Sequence, residues 1–98
     1  MSEKFISRSD KVAARMLGDE MMVMSVVDST LFSLNETASL IWNAADGATP
    51  LSEIVEREIV AKFDVSAADA YRDALALAEE LARHGILRIA DRPRAAKR

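Results

Sequence analysis

The sequence predicts an α+β domain in which a three-stranded antiparallel sheet is followed by three helices. Residues 12–34 contain short apolar runs separated by turn residues, a pattern typical of a strand meander. Over residues 35–85 the apolar positions change to helical spacing. The chain has 98 residues, half of them apolar, which is enough for one hydrophobic core and too few for a second. We therefore expect one folded domain, at residues 10–90.

Two turns divide the strand region. Gly18-Asp19 offers a tight turn after the first strand, at residues 12–17. The next run, at residues 20–27, is short and rich in Val, which favours a strand over a helix. Asp28-Ser29 marks the second turn and precedes a third strand at residues 30–34. These segments together predict a meander.

The central strand is apolar on both faces. Because side chains alternate along a strand, one face carries Met22, Met24 and Val26, and the other carries Met21, Val23, Ser25 and Val27. The helices of the chain can cover one face only. The other face is then covered by the N-terminal segment or is available to a partner or to a second copy of the chain. For the methionines we favour packing in the core over a contact role.

Two shorter helices are expected directly after the sheet. Asn35 is placed to cap the first, and its Trp42 is expected to close the core. The second follows Pro50, with Thr49 or Ser52 as its cap, and ends near residue 63. Neither helix carries an arrangement of side chains that suggests catalysis.

The third helix is the longest, and it carries two apolar stripes. Ser66 opens it with a capping-box pattern, and Gly85 is a typical C-terminal stop. The first stripe contains Ala70, Ala74, Leu77 and Leu81, and the second contains Tyr71, Leu75, Ala78 and Ala82. One stripe is enough to pack the helix against the core. The second stripe then either forms a shallow apolar channel for another backbone or is itself covered, because the helix is buried broadly between its neighbours. Periodicity leaves both interpretations open.

Both ends of the chain are expected to lie outside the domain. Residues 1–9 are mostly polar and predict a flexible arm whose apolar pair, Phe5-Ile6, is free to dock. Residues 86–89 return to extended character, whereas residues 91–98 predict a disordered basic tail. No targeting segment begins the chain, and no run approaches the roughly 20 apolar residues that span a bilayer. We expect a cytoplasmic protein with no membrane contact.

The net charge of −3 hides an asymmetry between body and tail. Residues 1–85 hold 8 Lys and Arg against 15 Asp and Glu, whereas residues 86–98 hold 5 against 1. The body is therefore acidic and repels phosphate backbones, which bind proteins mainly through Lys and Arg. Nucleic acid is a disfavoured partner.

The residue types that catalysis needs are scarce. The chain has no cysteine, and His84 is its sole histidine, at a helix end where the helix dipole favours a cation. The three glycines are isolated and form no phosphate-binding loop. We therefore expect no enzymatic activity, no metal site and no cofactor.

Several short motifs resemble the PqqD family, which is named for a pyrroloquinoline quinone biosynthesis protein. They are Ser33-Leu34-Asn35-Glu36-Thr37-Ala38, Ile41-Trp42, Asp46-Gly47, Ser52-Glu53-Ile54-Val55 and the segment from Leu81 to Leu87. The resemblance covers residues 9–89 and implies a winged helix-turn-helix-like domain. The Asp28-Ser29 turn departs from the family pattern, because it lacks the glycine that is common there.

The resemblance implies a recognition element that binds the leader segment of a ribosomally made precursor peptide and presents it to a modifying enzyme. In PqqD itself that enzyme is a radical S-adenosylmethionine (SAM) protein. The leader in such domains adds as an extra strand to the third strand and lies beside the third helix. Carried over by position, the peptide-binding residues are Thr30, Leu31, Phe32, Ser33, Leu34, Tyr71, Leu75, Ala78 and Ala82.

Physical chemistry supports such a site and adds a charge preference. An exposed strand edge supplies main-chain hydrogen bonds, and side-chain pockets supply selectivity. From the charges alone we add that helix three would favour a leader with Lys or Arg, because it carries Asp69, Asp73, Glu79 and Glu80.

Two alternative functions remain open from the sequence. The first is a winged-helix DNA-binding protein, although the basic residues of the helices are outnumbered by acidic ones and only the tail favours it. The second is a structural subunit of a homodimer, which the two apolar faces of the sheet permit and which is compatible with peptide binding.

Overall fold

Six strands and three helices make up the described part of the chain, which is residues 3–10, 12–18 and 20–93 of a computed structural model. The strands are β1 (Phe5–Arg8), β2 (Val12–Leu17), β3 (Glu20–Ser25), β4 (Leu31–Leu34), β5 (Asp46–Pro50) and β6 (Leu87–Ala90). The helices are α1 (Glu36–Ala44), α2 (Leu51–Ile54), which continues as a π-helical segment (Val55–Val60), and α3 (Ala67–Arg83). The α+β class is confirmed.

The predicted meander is confirmed as the sheet β2-β3-β4. Its first hairpin pairs Leu17 with Glu20, and Gly18 has a φ of +64°, which glycine adopts without a steric penalty. Asp19, the other residue of the predicted turn, lies outside the described residues. In the second turn Ser29 adopts a φ of +61°, a left-handed conformation that is uncommon for residues other than glycine.

A second antiparallel sheet, with the order β5-β1-β6, was not predicted. Its central strand, β1, lies in the segment that we expected to be a flexible arm, and that expectation is wrong for Phe5–Arg8. Phe5 and Ile6 are buried, and the strand pairs with partners more than 35 residues away on either side. Pairing over such distances leaves little local pattern in a segment of four residues.

The expected cap of the second helix is also wrong. Pro50 occupies the N-cap position, and the backbone N–H of Leu51 donates to the carbonyl of Lys4 at 2.8 Å. The hydroxyl groups of the two predicted caps donate elsewhere: Thr49 to Asp46, and Ser52 to Glu3. The helix therefore begins where the residue before β1 supplies an acceptor, a condition that only the tertiary fold creates. It ends at Val60, before the predicted end near residue 63.

The caps of the other two helices are confirmed. The side chain of Asn35 accepts a hydrogen bond from the Ala38 N–H, and that of Ser66 accepts one from the Asp69 N–H. Helix α3 stops before Gly85, whose φ is +75°. A Cβ at this position would lie 3.1 Å from the Val27 Cγ2 atom, so glycine also lets the turn after β3 approach the helix end.

One hydrophobic core joins the two sheets and the helices. Ile6 of β1, Val23 of β3 and Ala78 of α3 are fully buried within it. Trp42 packs against this core, as expected, although its ring is only half-buried. Arg8 lies over that ring, 5.5 Å from its centre, and donates to the carbonyl groups of Trp42 and Asn43 at the end of α1. The second sheet is thereby tied to the first helix.

Candidate functional site

Strand β4 has an unpaired edge. It lies at the end of the sheet β2-β3-β4 and, among the described residues, pairs on one side only. The Ser25 N–H donates to the Thr30 carbonyl, and hydrogen-bonded pairs alternate along an antiparallel ladder. The backbone groups of Phe32 and Leu34 therefore point toward β3, whereas those of Leu31 and Ser33 point away from it. An extended peptide can pair with the exposed backbone of Leu31 and Ser33.

The side chains of β4 alternate between the core and the surface. Leu34 is buried opposite Met21, and Phe32 is half-buried opposite Val23. Leu31 and Ser33 lie on the outer face, and the Ser33 hydroxyl donates to Glu20. The five residues that we predicted on the third strand thus have distinct environments, and Thr30 comes just before the strand begins.

His84 connects β4 and the preceding turn to the C-terminal end of α3. Its ring centre lies 5.0 Å from that of Phe32, and its Nδ1 atom donates to the Asp28 carboxylate at 2.8 Å. Its backbone carbonyl accepts a hydrogen bond from the buried Ser25 hydroxyl. These contacts hold β4 beside the last turn of α3.

The carboxylate of Asp28 is engaged on both oxygens. One oxygen accepts from the His84 ring, and the other accepts from the Thr30 N–H at 3.0 Å. Together these donors hold the pKa of Asp28 well below its ordinary value of 3.8, the His84 hydrogen bond being the larger cause. The turn that begins β4 is therefore stabilised by a charged group.

An apolar cavity of about 400 Å³ continues from the end of β4, between α1 and α3. Its buried lining includes Ala38 and Ile41 from α1 and Ala70 and Ala74 from α3. Polar groups reach it from Asn35, Thr37, Asp69 and Asp73. No Lys or Arg is among its lining residues in the described part of the chain.

The charges around the cavity are unequally compensated. Asp69 pairs with Arg72 at 2.7 Å, whereas Asp73 has no ion pair or hydrogen bond with any residue that the structure describes. Farther along α3, Glu80 pairs with Arg83 and lies 3.6 Å from His84. Asp73 is thus a free carboxylate at the edge of an apolar cavity.

The two stripes of α3 have different surroundings. Ala70, Ala74 and Leu77, from the first stripe, line the cavity. In the second stripe Ala78 is fully buried, so it offers no surface to a peptide. Tyr71 borders a separate shallow pocket with Ser52 and Val55. Leu75 and Ala82 are half-buried.

None of the nine residues of our sequence-based site lines the cavity. Its lining residues are Asn35, Thr37, Ala38, Ile41, Ile59, Val65, Asp69, Ala70, Asp73, Ala74 and Leu77. Two of them, Asp69 and Asp73, flank the first stripe at a spacing of one helical turn. That spacing is a signal in the sequence, but only the tertiary structure shows that it faces α1.

A second apolar surface lies on the outer face of the sheet β2-β3-β4. Cross-strand pairing puts Met24 next to both Ala13 and Leu31 on that face. Met24 is 40% exposed and Leu31 59% exposed. Of the two faces of β3, the helices therefore cover the one with Met21, Val23 and Ser25.

The comparisons with known proteins agree with this architecture. Residues 20–87 match the family described as coenzyme PQQ synthesis protein D (PqqD). The chain belongs to the PqqD family. The match begins at β3 and ends within β6, so most of the site lies inside the family's boundaries. A comparison with curated protein sequences found no match.

Two solved structures have a similar fold. TbiB1 in complex with the TbiA(beta) leader peptide is 27% identical, with a TM-score of 0.73, and the alignment covers 83% of this chain and 93% of that one. A lasso peptide synthetase B1 complexed with the leader peptide is 19% identical, with a TM-score of 0.74, and the alignment covers 85% and 96%. Both similarities include nearly the whole length of the compared chains.

Two kinds of feature are absent from the described residues. No group of three or more His, Cys, Asp and Glu residues in this part of the chain is arranged to hold a metal ion. Among the helices of the described segments, none combines the length and the apolar character that crossing a bilayer requires.

Proposed function

We propose that this protein is a noncatalytic peptide-binding chaperone that holds the leader segment of a ribosomally made precursor peptide for a modifying enzyme. The observation that carries the proposal is the open edge of β4 beside α3, in a fold that resembles two leader-bound proteins. Main-chain pairing at Leu31 and Ser33 supplies affinity that depends little on sequence. The cavity between α1 and α3 supplies selectivity.

The class of the partner enzyme is part of the proposal. PqqD itself serves a radical SAM enzyme, and we propose an enzyme of that class, or another peptide-modifying enzyme, as the partner here. In this scheme the protein needs no cofactor of its own, because the enzyme performs the chemistry. Both would act in the cytoplasm, where precursor peptides are synthesised.

The described structure weakens the alternative of DNA binding. The four basic residues of the second and third helical regions are all paired with carboxylates: Arg57 with Glu53 and Glu58, Lys62 with Glu58, Arg72 with Asp69, and Arg83 with Glu80. Phosphate contacts would have to displace these pairs. Most of the basic tail, residues 94–98, lies outside the described residues.

A homodimer through the outer face of the sheet is compatible with peptide binding, and light scattering would detect it.

An amide chemical-shift titration of the labelled protein tests the proposal. The probe is the leader segment of a short precursor peptide encoded beside this gene, with a scrambled peptide as the control. We expect shifts concentrated at Leu31, Ser33 and the cavity-lining residues of α3. Shifts confined to other surfaces would contradict the proposed site. The absence of shifts at about 1 mM peptide, with the protein folded, would exclude that precursor as the ligand.

A further inference from the structure

We infer that the cavity between α1 and α3 selects leader segments in which an apolar side chain is accompanied by a Lys or Arg that pairs with Asp73. The inference rests on the proposed function and specifies the peptide that the site recognises. It depends on three features of the described structure: the position of the cavity, its apolar lining and the uncompensated charge at its edge.

The cavity lies where a peptide paired with β4 would continue. Phe32, in the middle of β4, contacts His84 at the C-terminal end of α3. Asn35, just after β4, lines the cavity together with Asp73 and Leu77 from the middle of α3. From Phe32 to Asn35 the chain therefore advances from the C-terminal end of α3 to the cavity beside the middle of that helix. A segment longer than the strand would reach it.

The lining suits an aliphatic side chain. Ala38, Ile41, Ala70 and Ala74 are each less than a tenth exposed, and the alanines on α3 leave room for a close approach. An apolar anchor placed here would lose most of its contact with water, which favours binding. A Lys or Arg could follow the same surface with its aliphatic stem while its charged end stays in water.

The negative charge at the edge of the cavity is the reason for expecting a cation in the peptide. Two helix N-termini border the cavity and would by themselves favour an anion, but Glu36 and Asp69 lie in their first turns and offset this effect. Asp73 lies beyond the first turn of α3, has no partner among the described residues, and faces a lining without Lys or Arg. A cation from the peptide would complete the charge balance there.

Selection from a library tests the inference without knowledge of the natural precursor. Random 12-residue peptides displayed on mRNA would be selected in parallel against the full chain, against Asp73→Asn and against the control Glu79→Gln. Both variants remove one exposed carboxylate from α3, but Glu79 does not line the cavity. We expect Lys and Arg to be enriched near an apolar residue with the unaltered protein and with Glu79→Gln, and not with Asp73→Asn.

Binding of single selected peptides gives the quantitative test. Replacing the basic residue by norleucine keeps the apolar stem and removes the charge. We expect this replacement to weaken binding about fivefold for the unaltered protein and to have no effect for Asp73→Asn. The loss of affinity that norleucine causes with the unaltered protein should be smaller at high salt, because salt screens the ion pair.

The outcomes separate the inference from the proposed function. Peptides that bind through the β4 edge without enrichment of Lys or Arg, or with an enrichment that Asp73→Asn leaves unchanged, would overturn the inference and leave the proposed function intact. A selection that enriches no peptide at all would overturn both.

Discussion

Asp28 links the turn before β4 to the end of α3 through a single carboxylate. The His84 ring and the Thr30 N–H both donate to it, so the ionised form is favoured in the folded state. Ser25 acts beside it, since its hydroxyl donates to the His84 carbonyl and accepts from the Val27 N–H. The position of β4 therefore depends on a few polar contacts around one turn. His84 is 56 positions from Asp28 and 59 positions from Ser25 in the sequence, so a short sequence motif does not connect them.

Replacement of Asp28 should make stability less dependent on pH. Because the pKa of Asp28 is lowered in the folded state, its contribution is present above the ordinary pKa of 3.8 and is lost as the pH falls below it. Asp28→Asn should therefore lower the free energy of unfolding at pH 7, and the difference from the unaltered protein should shrink at pH values of about 3 and below. Urea denaturation at both pH values measures this. Asp64→Asn is the control, since Asp64 is exposed and makes no ion pair with the described residues.

At the scale of elements, β4 and α3 define the proposed site, and their proposed roles differ. In this proposal β4 offers backbone groups at Leu31 and Ser33, which accept many sequences, whereas α3 offers side chains, which discriminate. Which of the two stripes of α3 lies beside the cavity depends on where the second sheet and α1 pack. Ala78 is fully buried, and the cavity lies on the side of Ala70 and Ala74.

Ser33→Pro should weaken peptide binding while the protein stays folded. The Ser33 N–H points to the open edge, so proline removes a donor for the peptide without breaking a bond to β3. We expect a loss of about tenfold in affinity, measured by fluorescence anisotropy with a selected peptide. Ser33→Ala removes the hydroxyl and keeps the N–H, so it should bind nearly as the unaltered protein does. Equal losses for both variants would argue against strand addition.

Ala78→Leu distinguishes the two stripes of α3. Because Ala78 is fully buried, the added atoms should overpack the core and lower the free energy of unfolding by about 1–3 kcal/mol. Chemical denaturation measures this loss. An unchanged stability combined with altered peptide binding would instead place Ala78 in the groove. Ala76→Leu is the control, since Ala76 is an exposed position of the same helix.

At the scale of the whole molecule, β1 joins the two ends of the domain. It lies between β5 and β6, and the Lys4 side chain forms an ion pair with Asp91 beyond the last strand. That contact raises the pKa of Lys4 and lowers that of Asp91, mainly through their hydrogen bond. The match to the family starts at residue 20, so β1 lies outside the matched segment and is nevertheless central to its sheet.

Removal of the first strand should destabilise the entire domain. Deleting residues 1–9 would leave β5 and β6 without their shared partner and would expose core residues such as Leu87. A point variant separates this effect from truncation: Ile6→Ala should cost about 2–5 kcal/mol in chemical denaturation, because Ile6 is fully buried. Glu3→Ala is the control, since Glu3 is exposed. A flexible arm, in contrast, would leave stability unchanged in every case.

Sequence alone determined the elements that local patterns encode. The meander follows from three apolar runs that are separated by turns at Gly18 and Ser29. The caps of α1 and α3 follow from Asn35 and Ser66, and the family follows from motifs within residues 33–87. These signals span a few residues each, so no knowledge of distant contacts is needed to interpret them.

Only the tertiary structure decided which surfaces those elements present. Strand β1 is only four residues long, and it becomes a strand because β5 and β6 supply hydrogen-bond partners on both sides. The same packing buries Ala78 in the core and leaves Asp73 beside the cavity between α1 and α3. The sequence shows both stripes as apolar, and their burial depends on how other elements, such as α1, pack against the helix. Tertiary packing thus determined where the proposed peptide site lies.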